Sequence, residues 1–368
     1  MYIHRIIIKD VPGIPDRDLV LQNDWLGEPL TSVLLTGPNG SGKTTLLRLI
    51  AALWASLADA LIQQSSVLAE QTTLERLVKR LRRSSAFVAI EIHGLVEKPL
   101  IVSFTRFDKS DDEVAEIFNS NGFIIRLIFD SESGKQFARS PIPDSLNRLA
   151  AQVERLQLGL TDLAVEIPNV VFFDSETRQL DYEETLQRAV RTRTPSPETY
   201  YDWLATFNPR PLLLPSVLGP RSGGSYGMSL EQMLRNLKIR DSERFYETIT
   251  DINAFLVGKR ITDFNDRLDL NVETDQGGKH TIYDLSAGER QCLLIMFMVS
   301  RWTMPGGVVL IDGPDLHLHV SLQRQFIHEL EKLVEKRNGQ LIVTSHSPEL
   351  WEEYSPRQRF DFGEYVAK

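Results

Sequence analysis

Cysteine is nearly absent: Cys292 is the single one in 368 residues, which excludes an internal disulfide. It lies in the apolar run CLLIMFMV, where a thiol serves as a small core residue. Nowhere do about 18 apolar residues run without interruption, so no transmembrane helix is expected. The opening MYIHRIIIKD lacks the basic-then-apolar layout of a secretory leader, and the expected location is the cytoplasm. A surplus of positive charge is missing as well. With a formal net charge of −9, no global field attracts nucleic acid, and any such contact has to come from a local patch.

What is present is enough apolar material, 42% of the residues, for one large domain with an elaborate lobe or for two domains. One basic patch stands out. Between Thr72 and Arg83, Arg76, Lys79, Arg80 and Arg83 share one helical face while Leu74, Leu77, Val78 and Leu81 share the other. Such a helix is either a nucleic-acid contact or an ordinary solvated face. The same two readings apply to RAVRTRT at Arg188 to Thr194.

Along the chain, Tyr2 to Lys9, Leu19 to Gln22 and Ser32 to Leu35 read as strands. A helix follows, with Leu46, Leu47, Ile50, Leu53, Trp54, Leu57 and Leu61 at helical spacing. Phe87 to Ile92, Ile101 to Phe107 and Phe123 to Phe129 suggest an antiparallel sheet beside the main one. Asp144 reads as the N-cap of a helix reaching about Leu160, and Val170 to Phe173 as a buried strand ending in Asp174. Six prolines between Pro195 and Pro220 lead into RSGGSYG, a stretch unsuited to regular structure. Helices over Ser229 to Leu237 and Ser242 to Leu256 precede a hairpin turning at Asp275 to Lys279. The last third alternates helix and strand, as a parallel sheet with crossover helices does.

The strongest chemical signal is GPNGSGKTT, Gly37 to Thr45, which fits the phosphate-loop pattern between a strand and an amphipathic helix. Gly37, Gly40 and Gly42 let backbone N–H groups wrap a phosphate chain. Lys43 supplies a point charge for the β- and γ-phosphates, Thr44 a hydroxyl for magnesium, and the helix start a positive dipole. A second helix start, LSAGERQ, sets Ser286 and Gly288 where free backbone donors could hold phosphate or merely form a cap. A third pattern, GGVVLID, ends a buried strand in Asp312, a magnesium ligand if it lies beside the phosphate-loop strand. LIVTSHS delivers His346 to the carboxyl end of another strand, the edge where ligands sit. His317 and His319, two apart, read as packing or interface residues rather than zinc ligands.

Taken together, GPNGSGKTT, LSAGERQ, LIDGPDLHLH and VTSHS resemble the ABC-type ATPase heads of the RecF, SMC and overcoming-lysogenization-defect group, also classed as AAA-family ATPases. The resemblance covers about residues 1 to 60 and 260 to 350. It implies an α/β P-loop fold with a mostly parallel sheet, an antiparallel β subdomain and an inserted helical lobe. The implied division is 1–140 for the first part of the head, 141–258 for the lobe and 259–368 for the rest. ATP and Mg2+ are the implied cofactors. Gly37, Asn39, Gly40, Ser41, Gly42, Lys43, Thr44 and Thr45 form the Walker A loop, Thr44 and Asp312 hold the metal, and His346 is the switch histidine. Ser286, Gly288 and Glu289 of one copy cap the nucleotide held by another. Gln64 or Gln71 could be the Q-loop glutamine, and Tyr2 or Trp25 the adenine-stacking aromatic. The chain departs from the family where a water-orienting glutamate follows the Walker B aspartate: it has Gly313. Loss of that carboxylate slows turnover by about 10²- to 10⁴-fold, unless Asp315 or Glu349 substitutes.

The expected function is therefore an ATP-dependent dimerising subunit that positions or restrains a separate effector, a nuclease or toxin, in anti-phage defence. That biological role is family analogy. The alternatives are a DNA-binding repair ATPase using the Arg76 to Arg83 face, and a scaffold that keeps ATP without hydrolysing it.

Overall fold

In the computed structural model the described residues are 1–62 without 24 and 26, 86–105, 111–129, 136–138, 143–148, 168–175 without 174, 230–265, 269–315 and 318–363. The basic helix expected at Arg76 to Arg83, the second basic cluster, the proline-rich stretch, Gln64, Gln71 and His317 lie outside them.

The centre is a five-stranded sheet in the order β14 (Arg359–Asp361), β3 (Ser32–Thr36), β13 (Gln340–Thr344), β12 (Val308–Asp312) and β8 (Val170–Phe173), with every neighbouring pair parallel. A parallel strand buried on both faces needs an unbroken apolar run rather than alternation. VVLI in β12 and LIV in β13 supply it. Alternate residues then serve opposite faces. Val308 and Leu310 join Leu46, Ile50 and Leu53 of α1 (Lys43–Ile62), while Val309 and Ile311 join Leu293 and Ile295 of α5 (Ala287–Trp302) and Phe326 and Leu330 of α6 (Val320–Lys336).

A second sheet runs β2 (Arg17–Val20), β1 (Tyr2–Lys9), β4 (Phe87–His93), β5 (Leu100–Thr105), β6 (Phe123–Phe129), β7 (Gln136–Ala138). Its inner face (Ile6, Ile8, Val88, Ile90) shares a core with α1, so that helix is packed between two sheets. The sheet expected to be antiparallel is mixed. β5 and β6 pair in parallel, because α2 (Asp111–Phe118) provides the crossover a parallel pair requires. DDEVAEIF has acids in its first turn and buried Val114 and Phe118 four apart, a short helix signal that the strand reading passed over. The helical stretch at 144–148 includes Asp144 itself, after Pro143, rather than beginning behind it as a cap.

α3 (Leu230–Arg240) and α4 (Ser242–Asn253) pack with the three-stranded sheet β11 (Lys279–Thr281), β10 (Leu270–Thr274), β9 (Lys259–Phe264) on the α5 side of the central sheet. β10 and β11 meet through the expected turn, where Gly277 has φ 82°. β8 falls inside the span 141–258 expected as an inserted lobe, yet it is an edge strand of the central sheet. The two large sheets are stitched by Gln340, 1% exposed. Its side chain accepts the Ile3 N–H at 2.8 Å and donates to the carbonyls of Ile3 at 3.1 Å and Leu30 at 2.9 Å. α7 (Pro348–Glu353) follows β13.

Candidate nucleotide site

All five central strands end at one edge, where open α/β sheets bind ligands. There β3 turns through residues 37–42 into α1. Gly37, Gly40 and Gly42 have φ of 133°, 79° and 97°, values that L side chains rarely adopt. A Cβ at Gly42 would lie 2.8 Å from Ile14 Cγ1, and one at Gly37 3.2 Å from Phe362 Cβ, whereas Gly40 faces open space. Asn39 and Gly40 form the exposed tip, and Ser41 is buried. Lys43, 4% exposed, donates from Nζ to the carbonyls of Gly37 and Pro38, each at 2.8 Å, and to Ser41 Oγ at 3.3 Å. Burial lowers the pKa of its ammonium, opposed by the charges of Asp312, Asp361 and Asp315.

Asp312, at the end of β12, gathers hydroxyls from three other elements. Thr44 Oγ1 lies 2.8 and 2.9 Å from its two oxygens. Thr344 Oγ1, from the end of β13, donates to Oδ1 at 2.7 Å, and Ser175, just past β8, donates to Oδ2. One carboxylate ringed by hydroxyl oxygens is a hard-donor set suited to Mg2+; Thr44 and Asp312 meet, although β12 is not beside the phosphate-loop strand β3 as expected, β13 lying between the two. The loop fits a phosphate chain: its curvature depends on glycine, and its lysine is held at the mouth by carbonyls that a phosphate oxygen could replace. His346 is exposed at this edge, hydrogen-bonds the Gly37 backbone and feels the charges of Lys43, Asp315 and Asp312; partial desolvation first, and Lys43 next, lower its imidazole pKa. Gly313 is buried at φ 56°, and its N–H donates to Thr344 Oγ1 at 2.8 Å and to Thr344 O at 3.2 Å. Its backbone therefore occupies the left-handed region, where glutamate is strained.

The other expected residues divide. Ser286 is exposed and caps α5: its Oγ accepts from the Glu289 N–H at 3.2 Å while Glu289 Oε2 accepts the Ser286 N–H at 2.8 Å. Glu289 also holds Lys259 at 2.7 Å. The carboxylate of Glu289 is thus engaged within its own chain, and the donors left to the helix start are the first N–H groups, at Ala287 and buried Gly288. Tyr2 begins β1 and pairs with His93, and Trp25 lies under Arg357 ahead of β14. Tyr2 opens β1 and Trp25 lies in the turn before β3, toward the starts of these strands, whereas the phosphate loop follows the end of β3, so neither is placed to stack on an adenine held there. Of the two spare carboxylates, Asp315 acts on both Lys43 and His346, whereas Glu349 accepts from Ser347 Oγ at 2.7 Å. His319 is exposed.

Residues 221–352, which include Ser286, Asp312 and His346, match the family described as "AAA domain, putative AbiEii toxin, Type IV TA system". That stretch is similar to an AAA-type ATPase domain. Among curated proteins it is 41% identical to "Retron Ec83 probable ATPase" of Escherichia coli over 81 residues, 19% of this chain and 15% of that one. It is 26% identical to "Iron-sulfur clusters transporter ATM1, mitochondrial" of Candida albicans over 182 residues, 48% of this chain and 23% of that one. The chain spans no more than about a quarter of the length of the curated relatives it matches. Among solved structures, the SMC head domain from Thermotoga maritima aligns with TM-score 0.41 and 14% identity, over 96% of this chain and 92% of that one.

At this sheet edge, sequence reasoning missed Ser175 and the role of Thr344. A signal existed for both. VVFFDS and LIVTSH are apolar strands that release polar residues at the same sheet edge as VVLID. No helix among the described residues is long and apolar enough to cross a membrane.

Proposed function

We propose that the chain is an ATP-binding subunit that dimerises when ATP is bound, two copies enclosing two nucleotides. Lys43 would neutralise the β- and γ-phosphate charge, the loop N–H groups would orient the phosphates, and Thr44 and Asp312 would hold Mg2+. Magnesium supplies charge neutralisation on the phosphates when bound. His346 would donate a hydrogen bond at the γ-phosphate position. The observation that carries the dimer is Ser286: the helix start is exposed and its cap is already folded, so a second copy meets finished donors rather than a loop to be ordered. The relation to a retron ATPase and to a family described by a toxin–antitoxin system supports a defence role in which the closed state restrains or positions a nuclease or toxin partner.

Light scattering tests the assembly. ATP with Mg2+ converts the wild type to a dimer and leaves Lys43→Ala monomeric; equal assembly of the two rejects the proposal. One observation favours a non-hydrolysing variant of this reading, the left-handed backbone at Gly313, which removes the usual water-orienting carboxylate. Phosphate release from the purified protein at about 1 s⁻¹ or faster, the ordinary enzymatic range, and lost in Asp312→Asn, would eliminate that variant.

A further inference from the structure

At the opposite end of β1 from the phosphate loop, three metal-ligating side chains meet on the outer face of the mixed sheet. Their convergence follows from an irregularity in the ladder. β1 and β4 pair Ile3 with Ile92 and Arg5 with Glu91, leaving His4 as the extra residue between them. A bulge of this kind turns two successive side chains to one face, so His4 joins Arg5 on the side that carries Glu91 and His93. The ligand atoms of His4, Glu91 and His93 all lie within 4.8 Å of one another. Glu91 Oε1 is 3.1 Å from His93 Nε2, and the His4 and His93 ring centroids are 4.4 Å apart.

The pattern is hard to explain as a salt bridge alone. Glu91 is 5% exposed, and a buried carboxylate requires a cation or several donors. Arg5, its cross-strand neighbour, is drawn elsewhere: its guanidinium donates to Asp18 at 2.8 and 2.7 Å and to the Phe118 carbonyl at 3.1 Å. Among the described residues the only hydrogen-bond partner of Glu91 is His93, and the His4 ring has none. His93 already has the outer partner typical of a ligating histidine, with Tyr2 Oη 3.4 Å from its Nδ1.

We propose that His4, Glu91 and His93 bind one divalent transition-metal ion of the zinc class through two imidazole nitrogens and one carboxylate, with water completing the coordination. The ion displaces the hydrogen between His93 Nε2 and Glu91. The single proton of the neutral imidazole moves to Nδ1, where the Tyr2 hydroxyl accepts it, so no proton is gained or lost at that ring. The ligand atoms already lie within 4.8 Å of one another, on strands whose backbones are fixed by the β1–β4 pairing. His4 adjoins Ile3, the residue gripped by Gln340, so the ion would fasten the start of β1 at the seam between the two large sheets. Its role there is structural and separate from the nucleotide.

The test is competition for Zn2+ between the full chain and a chromophoric chelator, with ATP binding measured in parallel. The wild type takes up one equivalent, the affinity falls at least about 100-fold in His4→Ala and His93→Ala, and ATP affinity is unchanged in both. Tyr2→Phe, which leaves the ligands intact, lowers zinc affinity about 10- to 100-fold, the usual effect of removing an outer partner, and keeps the test available if an alanine variant does not fold. Absence of zinc uptake by the wild type, or equal uptake by His4→Ala, His93→Ala and Tyr2→Phe, overturns the assignment. Because ATP binding is read separately, failure here leaves the nucleotide site standing, and failure there leaves this one.

Discussion

Gly42 and Gly40 belong to the same loop and both have positive φ, 97° and 79°, but only one is crowded. Alanine at either position bears the cost of a left-handed backbone, about 1–2 kcal/mol. At Gly42 the new methyl also meets Ile14, with Cγ1 at 2.8 Å, Cγ2 at 3.1 Å and Cβ at 3.2 Å. Ile14 is 3% exposed and locked in the core under α1, so it cannot swing away, and overpacking adds about 1–3 kcal/mol. Gly40→Ala should therefore lose about 1–2 kcal/mol and Gly42→Ala about 2–5 kcal/mol. Urea denaturation without nucleotide reads this difference directly. A double-mutant cycle isolates its cause: in an Ile14→Ala background the two variants should become nearly equivalent, although Ile14→Ala itself costs about 2–5 kcal/mol. If Gly42→Ala stays the worse variant by the same margin without the Ile14 side chain, steric crowding is not what the glycine relieves.

Three other outcomes can be measured. In nitrogen-detected NMR without nucleotide, His346 titrates below the ordinary imidazole value of about 6.5 and moves upward when ATP is added; a midpoint at or above 6.5 contradicts its partial desolvation beside Lys43. Because its native pKa is depressed, the unfolded chain binds more protons between that pKa and about 6.5, so this residue's contribution to stability grows with pH across that window and is lost below it. Ser175→Ala should raise the Mg2+ concentration needed for ATP binding about 10-fold, in line with loss of an outer-sphere partner, and an unchanged Mg2+ titration argues against a role at the metal. Gln340→Leu strands one N–H and two carbonyls in the seam between the sheets, at about 1–3 kcal/mol for each group left without a partner; a urea midpoint within error of wild type refutes that account.

Much of this fold was readable because parallel strands advertise themselves. VVLID and LIVTSH can be buried on both faces only under helices, and the residues released at their ends converge whatever the connecting segments do. GPNGSGKTT was equally plain, since its glycines answer to backbone geometry rather than to tertiary context. The parallel pairing of β5 and β6 was not readable. It depends on α2, whose eight residues carry too little periodicity to compete with the flanking apolar strands. Tyr2 and Trp25 were misplaced for a related reason: an aromatic near the start of the chain says nothing about which end of its strand meets the loop. Ser175 was overlooked because a lone serine after a strand has no pattern of its own, and its meaning comes from the neighbour that β8 chooses in the sheet.

Lys43 resting on the carbonyls of Gly37 and Pro38 has a consequence for affinity. A ligand arriving at this loop inherits a cation that is already solvated by the protein, so each new ion–phosphate contact is an exchange against an existing bond. The net gain is smaller than the contact alone suggests. In return, the loop has no bare charge to collapse around, because its own carbonyls hold the cation in place.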